Sequence, residues 1–198
     1  MANRFEERYK SGDMPWDIQR PDYNLVNTIK NFNIKPCKAL DIGCGLGDNA
    51  IWLYQQGFNV TGIDYVEAAI AEARRRAEKA KCKVPFYVLD FLTDKVPGNP
   101  YSFVFDRGCF HSFDSDEERS TYAGNVHRLL EDKGLWLTLS GNYDDGRLDV
   151  GPPKRKASQI IEAIEPWFRI RSLVSGKFDS NDPVPSMIWI CLMEKRKI

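Results

Sequence analysis

The segment Ala39-Leu-Asp-Ile-Gly-Cys-Gly-Leu-Gly47 constrains the fold more than any other part of the chain. A short apolar run ends in Asp41 and continues into a turn with a glycine at every second position. These glycines are Gly43, Gly45 and Gly47. A second apolar run, Asn59 to Asp64, also ends in an acid. The order strand, glycine turn, helix, strand and acid is typical of half of a nucleoside-binding, doubly wound sheet.

The details of the turn bear on the ligand. Asp64 suits the two hydroxyl groups of a ribose, because a carboxylate has acceptor sites and no donor. A dinucleotide-binding turn spaces its glycines as G-x-G-x-x-G so that a pyrophosphate can bind the helix N-terminus. Here the third glycine comes one residue earlier, and Asp41 would repel a pyrophosphate but suit the ammonium of a methionine moiety. The pattern favours S-adenosyl-L-methionine, with a dinucleotide site and a purely structural turn as alternatives.

The other apolar runs predict a whole α/β sheet with helices on both faces. Strands are expected at Ala39–Ile42, Asn59–Asp64, Pro85–Leu89, Tyr101–Phe105 and Leu135–Leu139. Helices are expected at Tyr23–Asn31, Asp48–Gln56, Val66–Lys81, Ser115–Leu130 and Ala157–Ile164. Two last runs, Phe168 to Ser175 and Met187 to Met193, have only a loop between them, so they predict an antiparallel pair. The result is a doubly wound, Rossmann-like, mostly parallel sheet of seven strands.

Ligands of such sheets bind beyond the carboxyl ends of the strands. Four of the predicted strands end at an acidic residue. These acids are Asp41, Asp64, Asp90 and Asp106. We therefore expect a row of carboxylates along one edge of the sheet.

The composition is that of a compact enzyme without a charged partner. The 198 residues carry 28 basic and 28 acidic side chains, so no net charge attracts nucleic acid or an anionic membrane. The polar N-terminus has no signal-peptide core, and no apolar run has the length of a membrane span. The five cysteines lack C-x-x-C spacing, which argues against a disulfide framework or a zinc site. We expect a cytoplasmic protein without metal, and a monomer or weak homodimer.

With these features the chain resembles the class I S-adenosylmethionine-dependent methyltransferases over nearly its whole length. The resemblance implies that the last strand is antiparallel and that the three glycines pass under the methionine part of the cofactor. Asp64 would then hold the ribose, with Tyr65 beside it, and Asp90 with Phe91 would face the adenine. Asp106 would border the transferred methyl, and S-adenosyl-L-homocysteine would be the product.

A narrower resemblance lies in the segment Arg8-Tyr-Lys-Ser-Gly-Asp-Met-Pro-Trp-Asp-Ile-Gln-Arg-Pro21. It is similar to the R-Y-x-S-G-x-x-P-W-D-x-G-x-P segment of the thiopurine, thiol/halide and tellurite-resistance methyltransferases. There the segment folds over the cofactor, which implies that Trp16 packs beside it. Residues 1–36 would form this lid or helical segment, and residues 37–198 the core of a single domain. Gln19 departs from the pattern, because the branch usually has glycine at that position.

Candidate catalytic residues follow the fourth strand, in Asp106-Arg-Gly-Cys-Phe-His-Ser-Phe113. His111 is either a base or substrate-orienting group, or a structural partner near a helix cap or the core. Arg107 either pairs with a nearby carboxylate or stabilises a bound anion. Cys109 is either a reactive thiol or, as is more common for a cysteine at a strand end, a small packing residue. The other histidine, His127, lies in a predicted helix and is expected to be structural.

These observations predict methyl transfer to a small-molecule acceptor. The segment after the fourth strand lacks the N-P-P-Y type of motif common in enzymes that methylate nitrogens of nucleic acid or protein. Positioning carries most of the rate of such a transfer, and a soft nucleophile needs no base. We therefore expect a thiol, thiopurine, metalloid oxyanion or halide as acceptor. The alternatives are a small-molecule N- or O-methyltransferase with His111 as base, a non-catalytic cofactor-binding protein, and a nicotinamide oxidoreductase.

Overall fold

A computed structural model describes residues 2–147 and 151–197. The sheet has the strand order β3-β2-β1-β4-β5-β7-β6. Its strands are β1 Lys38–Ile42, β2 Asn59–Asp64, β3 Phe86–Val88, β4 Tyr101–Arg107, β5 Leu130–Gly141, β6 Phe168–Lys177 and β7 Met187–Lys195. The helices are α1 Ala2–Ser11, α2 Tyr23–Asn31, α3 Asp48–Gln55, α4 Glu67–Lys79, α5 Asp116–Leu129 and α6 Ala157–Ile164, and a 3-10 turn lies at Phe110–Ser112.

The direction of the strands confirms the predicted fold class. Strands β3, β2, β1, β4 and β5 pair in parallel. Strand β7 is antiparallel to both of its neighbours, β5 and β6. Strand β6 therefore runs with the first five strands, and the last strand alone is reversed, as the resemblance implies.

Alternation along the strands sends side chains to two separate cores. Ala39 packs with α2, α3 and α4 on one face, whereas Leu40 packs with α5 and α6 on the other. In β4, Phe103 and Val104 divide in the same way. Because successive strand residues point to opposite faces, this division shows that helices cover both sides of the sheet.

The helix ends follow local capping chemistry. The Ser115 hydroxyl accepts a hydrogen bond from the backbone of Glu118, and the Glu118 carboxylate accepts one from the Ser115 backbone, which forms a capping box at the start of α5. The Asp22 carboxylate accepts from the Asn24 backbone and caps α2 in a similar way. Helix α2 therefore begins at Tyr23, directly after the acid.

The largest difference from the predicted boundaries is at β5, which begins at Leu130 and not at Leu135. Helix α5 ends at Leu129, and Leu130 already pairs with Tyr101 of β4. A register shift between the two strands then absorbs the polar residues that follow. Those residues look like a loop in the sequence because nothing local shows that they have a strand beside them.

Candidate functional site

The glycine turn lies at the carboxyl end of β1 and has space for backbone only. Gly47 has a φ of +86°, and a Cβ there would lie 3.0 Å from both the Ala73 Cβ and the Phe86 Cζ. An L-residue is disfavoured at this φ, so both the backbone angle and the packing require glycine. The turn therefore brings bare backbone against α4 and β3 and starts helix α3 at Asp48.

Asp41 lies under this turn with one carboxylate oxygen that lacks a partner. The residue is buried, and its Oδ2 has no hydrogen-bond donor among the described residues. Burial, followed by the charges of Asp106 and Asp64, raises the pKa of Asp41 well above its usual range. A buried oxygen without a donor is unfavourable. An ammonium group placed over the turn would supply both a donor and a compensating charge, so this residue fits the methionine moiety.

Asp64, at the end of β2, is held in place by backbone donors. Its Oδ2 accepts from the Gly45 N–H at 3.0 Å, and its Oδ1 accepts from the Val66 N–H at 2.9 Å. Burial nevertheless raises the pKa of Asp64. A carboxylate has about four acceptor positions in all, so each oxygen keeps one for a ribose hydroxyl. The geometry fits the ribose-binding role that the sequence predicts.

Asp106 has a different environment from the one that its place in the sequence suggests. It is fully buried, and its carboxylate accepts hydrogen bonds from four protein donors. The donors are the backbones of Cys109 and Phe110 and the side chains of Trp136 and Thr138. Burial raises the pKa of Asp106 to about 6. These contacts make Asp106 a support for the turn after β4; a role beside the methyl group stays a prediction.

The adenine side of the predicted site is less uniform. The Asp90 side chain is exposed, and its Oδ1 accepts from the Leu92 N–H at 2.9 Å. Phe91 is buried, and its ring lies 4.6 Å from that of Tyr122. Asp90 therefore stands apart from the three buried acids, Asp41, Asp64 and Asp106. The expected row of four carboxylates is a buried group of three with one exposed neighbour.

The N-terminal segment covers the glycine turn with aromatic rings. The Tyr9 hydroxyl lies 3.1 Å from the position that a Cβ would take at Gly45. The Trp16 indole N–H donates to this hydroxyl at 3.3 Å, and Phe5 packs against the Trp16 ring. Phe5 also contacts Tyr65, whose hydroxyl is buried without a partner. Sequence analysis singled out Trp16 and Tyr65 but not Phe5 or Tyr9, although Tyr9 is the tyrosine of the matching R-Y pair.

Two arginines fasten this segment to the core. Arg76 of α4 makes a two-point contact with Asp17, with its nitrogens 3.0 and 2.8 Å from the carboxylate oxygens, and a further contact of 2.7 Å with Asp48. Arg107 of β4 contacts Asp22 at 2.6 Å, donates to the Asp179 carbonyl at 2.6 Å and reaches the Trp16 carbonyl. Because the Arg107 guanidinium has these protein partners, the structure favours pairing over the stabilisation of a bound anion.

Gln19 lies in the fastened segment with a φ of 55°, in the left-handed region. The backbone therefore has a conformation that favours glycine, and glutamine adopts it at a cost in conformational free energy.

We expect Gln19→Gly to raise the free energy of unfolding by about 0.5–1 kcal/mol, after allowance for the greater freedom of glycine in the unfolded chain. Urea unfolding measures this change. Asn33→Gly at a φ of 53° is the control, and a smaller gain is expected because asparagine tolerates this region; equal gains would contradict the argument.

His111 lies beyond β4 in the 3-10 turn and is almost fully buried. Its Nδ1 accepts a hydrogen bond from the Gly141 N–H at 2.7 Å. Burial, followed by the nearby charges of Arg155 and Arg107, lowers the pKa of His111 to about 3. The ring is therefore neutral at physiological pH.

The other histidine, His127 of α5, has a protein partner for its ring hydrogen. Its Nε2 donates to the Arg196 carbonyl at 3.0 Å, which fits the structural role that the sequence predicts.

Comparisons with known proteins identify the family of the chain. Residues 39–134 match the family described as methyltransferase domain. Thiocyanate methyltransferase 1 of Brassica oleracea is 28% identical over 163 residues, which cover 81% of this chain and 70% of that protein. An uncharacterized methyltransferase of Schizosaccharomyces pombe is 39% identical over 110 residues, which cover 55% of this chain and 75% of that protein. The chain belongs to the S-adenosylmethionine-dependent methyltransferases.

The fold of the chain is also similar to that of solved methyltransferases. The Burkholderia thailandensis 1,6-didemethyltoxoflavin-N1-methyltransferase, solved with bound S-adenosylhomocysteine, superposes with a TM-score of 0.78 at 19% identity and covers 98% of this chain and 87% of its own. S-adenosyl-L-methionine is the cofactor, as the glycine spacing and Asp41 predict. The resemblance to the thiol branch is confirmed by the Brassica relative.

The described residues include neither a helix suited to span a membrane nor a cluster suited to bind a metal ion. None of the helices in the described part of the chain combines the length and apolar character that a membrane span needs. Residues 2–147 and 151–197 contain no group of three or more histidine, cysteine, aspartate or glutamate side chains placed to hold a metal ion.

Proposed function

We propose that this methyltransferase transfers the methyl group to a small soft nucleophile, such as a thiol, thiopurine, halide, pseudohalide or metalloid oxyanion. When bound, S-adenosyl-L-methionine supplies a methyl group on a sulfonium whose positive charge is lost in the transfer. The residues of the chain then have three tasks. Asp41 and Asp64 hold the donor, the aromatic segment with Tyr9 and Trp16 excludes water, and the turn after β4 receives the acceptor.

The observation that carries this proposal is the state of the groups that would have to accept a proton. At the end of β4 and in the turn that follows it, the Asp106 carboxylate accepts hydrogen bonds from four donors, and His111 already accepts an N–H at Nδ1. Burial raises the pKa of Cys109 and of Tyr122 well above their usual values, so both stay protonated. None of these four groups is arranged as a general base. An acceptor that reaches the site already deprotonated, such as a halide or a thiolate, releases no proton in the transfer and needs no base.

The relatives support the same class of acceptor. The Brassica protein is by name a thiocyanate methyltransferase, and the segment from Arg8 to Pro21 matches the thiol/halide branch. A small-molecule N- or O-methyltransferase with His111 as base has less support, because the Gly141 N–H occupies the lone pair of Nδ1.

The test is turnover with a panel of acceptors. Purified protein is incubated with S-adenosyl-L-methionine and iodide, thiocyanate, hydrosulfide, selenite or a thiopurine. A catecholate and a primary amine serve as hard acceptors. S-adenosylhomocysteine and the methylated product are quantified together, so that slow hydrolysis is not counted. We expect methylated product from at least one soft acceptor; product only from the amine or the catecholate would contradict the proposal.

A further inference from the structure

His111 is held in a single tautomer by the main chain. The Gly141 N–H points at Nδ1 from 2.7 Å, so Nδ1 is an acceptor and carries no hydrogen. A neutral imidazole has one N–H, which must then be on Nε2. The Arg155 N–H donates to the Gly141 carbonyl at 2.9 Å and helps to hold this backbone in place, and only glycine fits there because a Cβ would lie 2.3 Å from the Pro153 carbonyl oxygen.

The surroundings of the ring keep it neutral and leave its Nε2–H unused. Arg107 of β4 and Arg155, before α6, are the charged groups that act on it, and both oppose a positive charge on the ring. Strand β5 contributes the Gly141 N–H, and the loop after β6 contributes the Phe178 ring, whose centroid lies 6.2 Å from that of the imidazole. Among the described residues, Nε2 has no hydrogen-bond acceptor. Next to Nε2 stands Gly108, where a Cβ would approach to 3.2 Å.

We propose that His111 donates its Nε2–H to the methyl acceptor and so selects an acceptor that arrives as an anion. This inference rests on the proposed function and names the charge state of its acceptor. In the transfer, a lone pair of the anion forms the bond to the methyl carbon, and the electron pair of the broken carbon–sulfur bond stays on sulfur. No proton leaves, so a fixed donor is useful where a base is not. A hydrogen bond to an anion is also stronger than one to a neutral atom.

The same geometry disfavours cationic acceptors. A protonated amine offers hydrogens to a group that is itself a donor, and it meets two arginines in a buried site. For His111 to act as a base, the ring would have to lose the Gly141 hydrogen bond and turn over. His111 is therefore a substrate-orienting donor and not a proton acceptor.

The tautomer is measurable without any turnover. Two-bond proton–nitrogen correlation spectra of labelled imidazoles distinguish Nε2–H from Nδ1–H and from the doubly protonated ring. For the protein with S-adenosylhomocysteine we expect His111 in the Nε2–H form between about pH 6 and pH 8. Added thiocyanate should shift the His111 Nε2 resonance and leave that of His127 in place. A His111 ring that carries its hydrogen on Nδ1, or that titrates in this range, would overturn the inference.

His111→Asn tests the role in turnover, because an asparagine oxygen can still accept the Gly141 N–H while the Nε2–H is lost. We expect kcat/KM for thiocyanate, or for the best anionic acceptor of the panel, to fall by about tenfold. Affinity for S-adenosylhomocysteine should be unchanged, which also checks that the variant folds. Because no proton is transferred to or from His111, we expect the rate with thiocyanate to be independent of pH between about pH 6 and pH 8 in both the wild type and the variant. His127→Gln, which keeps a donor for the Arg196 carbonyl, should have wild-type kinetics.

The outcomes separate this inference from the function on which it rests. Wild-type turnover of an anion with an unaffected His111→Asn variant would overturn the donor role alone. A wild-type protein that binds S-adenosylhomocysteine but methylates no anion would overturn the proposed function, and the donor role with it. A wild-type rate that rises with the titration of a single group near neutral pH would indicate a base.

Discussion

Replacing Arg107 with methionine is expected to lower the free energy of unfolding by about 3–5 kcal/mol, because it leaves a buried carboxylate without its cation. The Asp22 side chain is fully enclosed, and the Arg107 side chain is only 12% exposed. The guanidinium also joins strand β4 to the N-terminal segment through the Trp16 carbonyl and to the loop after β6 through the Asp179 carbonyl. Urea unfolding, followed by far-ultraviolet circular dichroism, measures the loss.

Two controls give this result its meaning. Arg171→Met removes an arginine that is 51% exposed from its pair with Glu194, and a loss of about 0–1 kcal/mol is expected there. Adding Asp22→Asn to Arg107→Met should recover part of the stability, because the buried charge is gone while an oxygen still caps α2. A loss for Arg107→Met no larger than that for Arg171→Met would show that Arg107 is not a structural clamp and would reopen its role in anion binding.

Asp64→Ala is expected to weaken S-adenosylhomocysteine binding by about 1.5–3 kcal/mol, or roughly 10- to 150-fold in Kd, because charged hydrogen bonds to two ribose hydroxyls are lost. Part of the effect is indirect, since the carboxylate also fixes the Gly45 and Val66 N–H groups. Isothermal titration calorimetry measures the change.

Asp64→Asn separates the two contributions to this effect. The amide oxygen of asparagine can keep one of the two backbone hydrogen bonds, but the negative charge of the carboxylate is lost. We therefore expect an affinity between those of the wild type and Asp64→Ala. Thermal unfolding of both variants without ligand checks that the turn is still formed. An Asp64→Ala protein that folds and binds S-adenosylhomocysteine as tightly as the wild type would show that the ribose lies elsewhere.

The elements that the sequence predicts best are those bounded by residues that end helices and strands, such as glycine, proline and aspartate. Strand β2 was expected and found at Asn59–Asp64, between Gly57 and the acid that ends it. Helix α6 was expected and found at Ala157–Ile164, before Pro166. These ends depend on local backbone preferences, which the sequence states directly. The early start of β5 at Leu130 depends on pairing with Tyr101, a contact between distant parts of the chain.

The residues of the candidate site also fall into those whose geometry is set locally and those whose geometry depends on distant contacts. The glycine turn, Asp41 and Asp64 are readable because one short segment fixes their geometry. The environment of Arg107 is not, since its ionic partner Asp22 is 85 residues away. His111 likewise depends on the Gly141 N–H, 30 residues further along the chain. Local pattern can name such side chains as candidates, but only the packed structure shows which lone pair or hydrogen each has left to offer a ligand.

The most direct test of the account is a calorimetric titration of the wild-type protein with S-adenosylhomocysteine. The unpartnered Asp41 oxygen, the fixed Asp64 carboxylate and the aromatic cover of Tyr9 and Trp16 together predict one site per chain with a Kd in the micromolar range or tighter. Binding of that kind, lost in Asp64→Ala, would place the cofactor on the glycine turn. No heat of binding with a folded protein, or binding that Asp64→Ala leaves intact, would contradict the account.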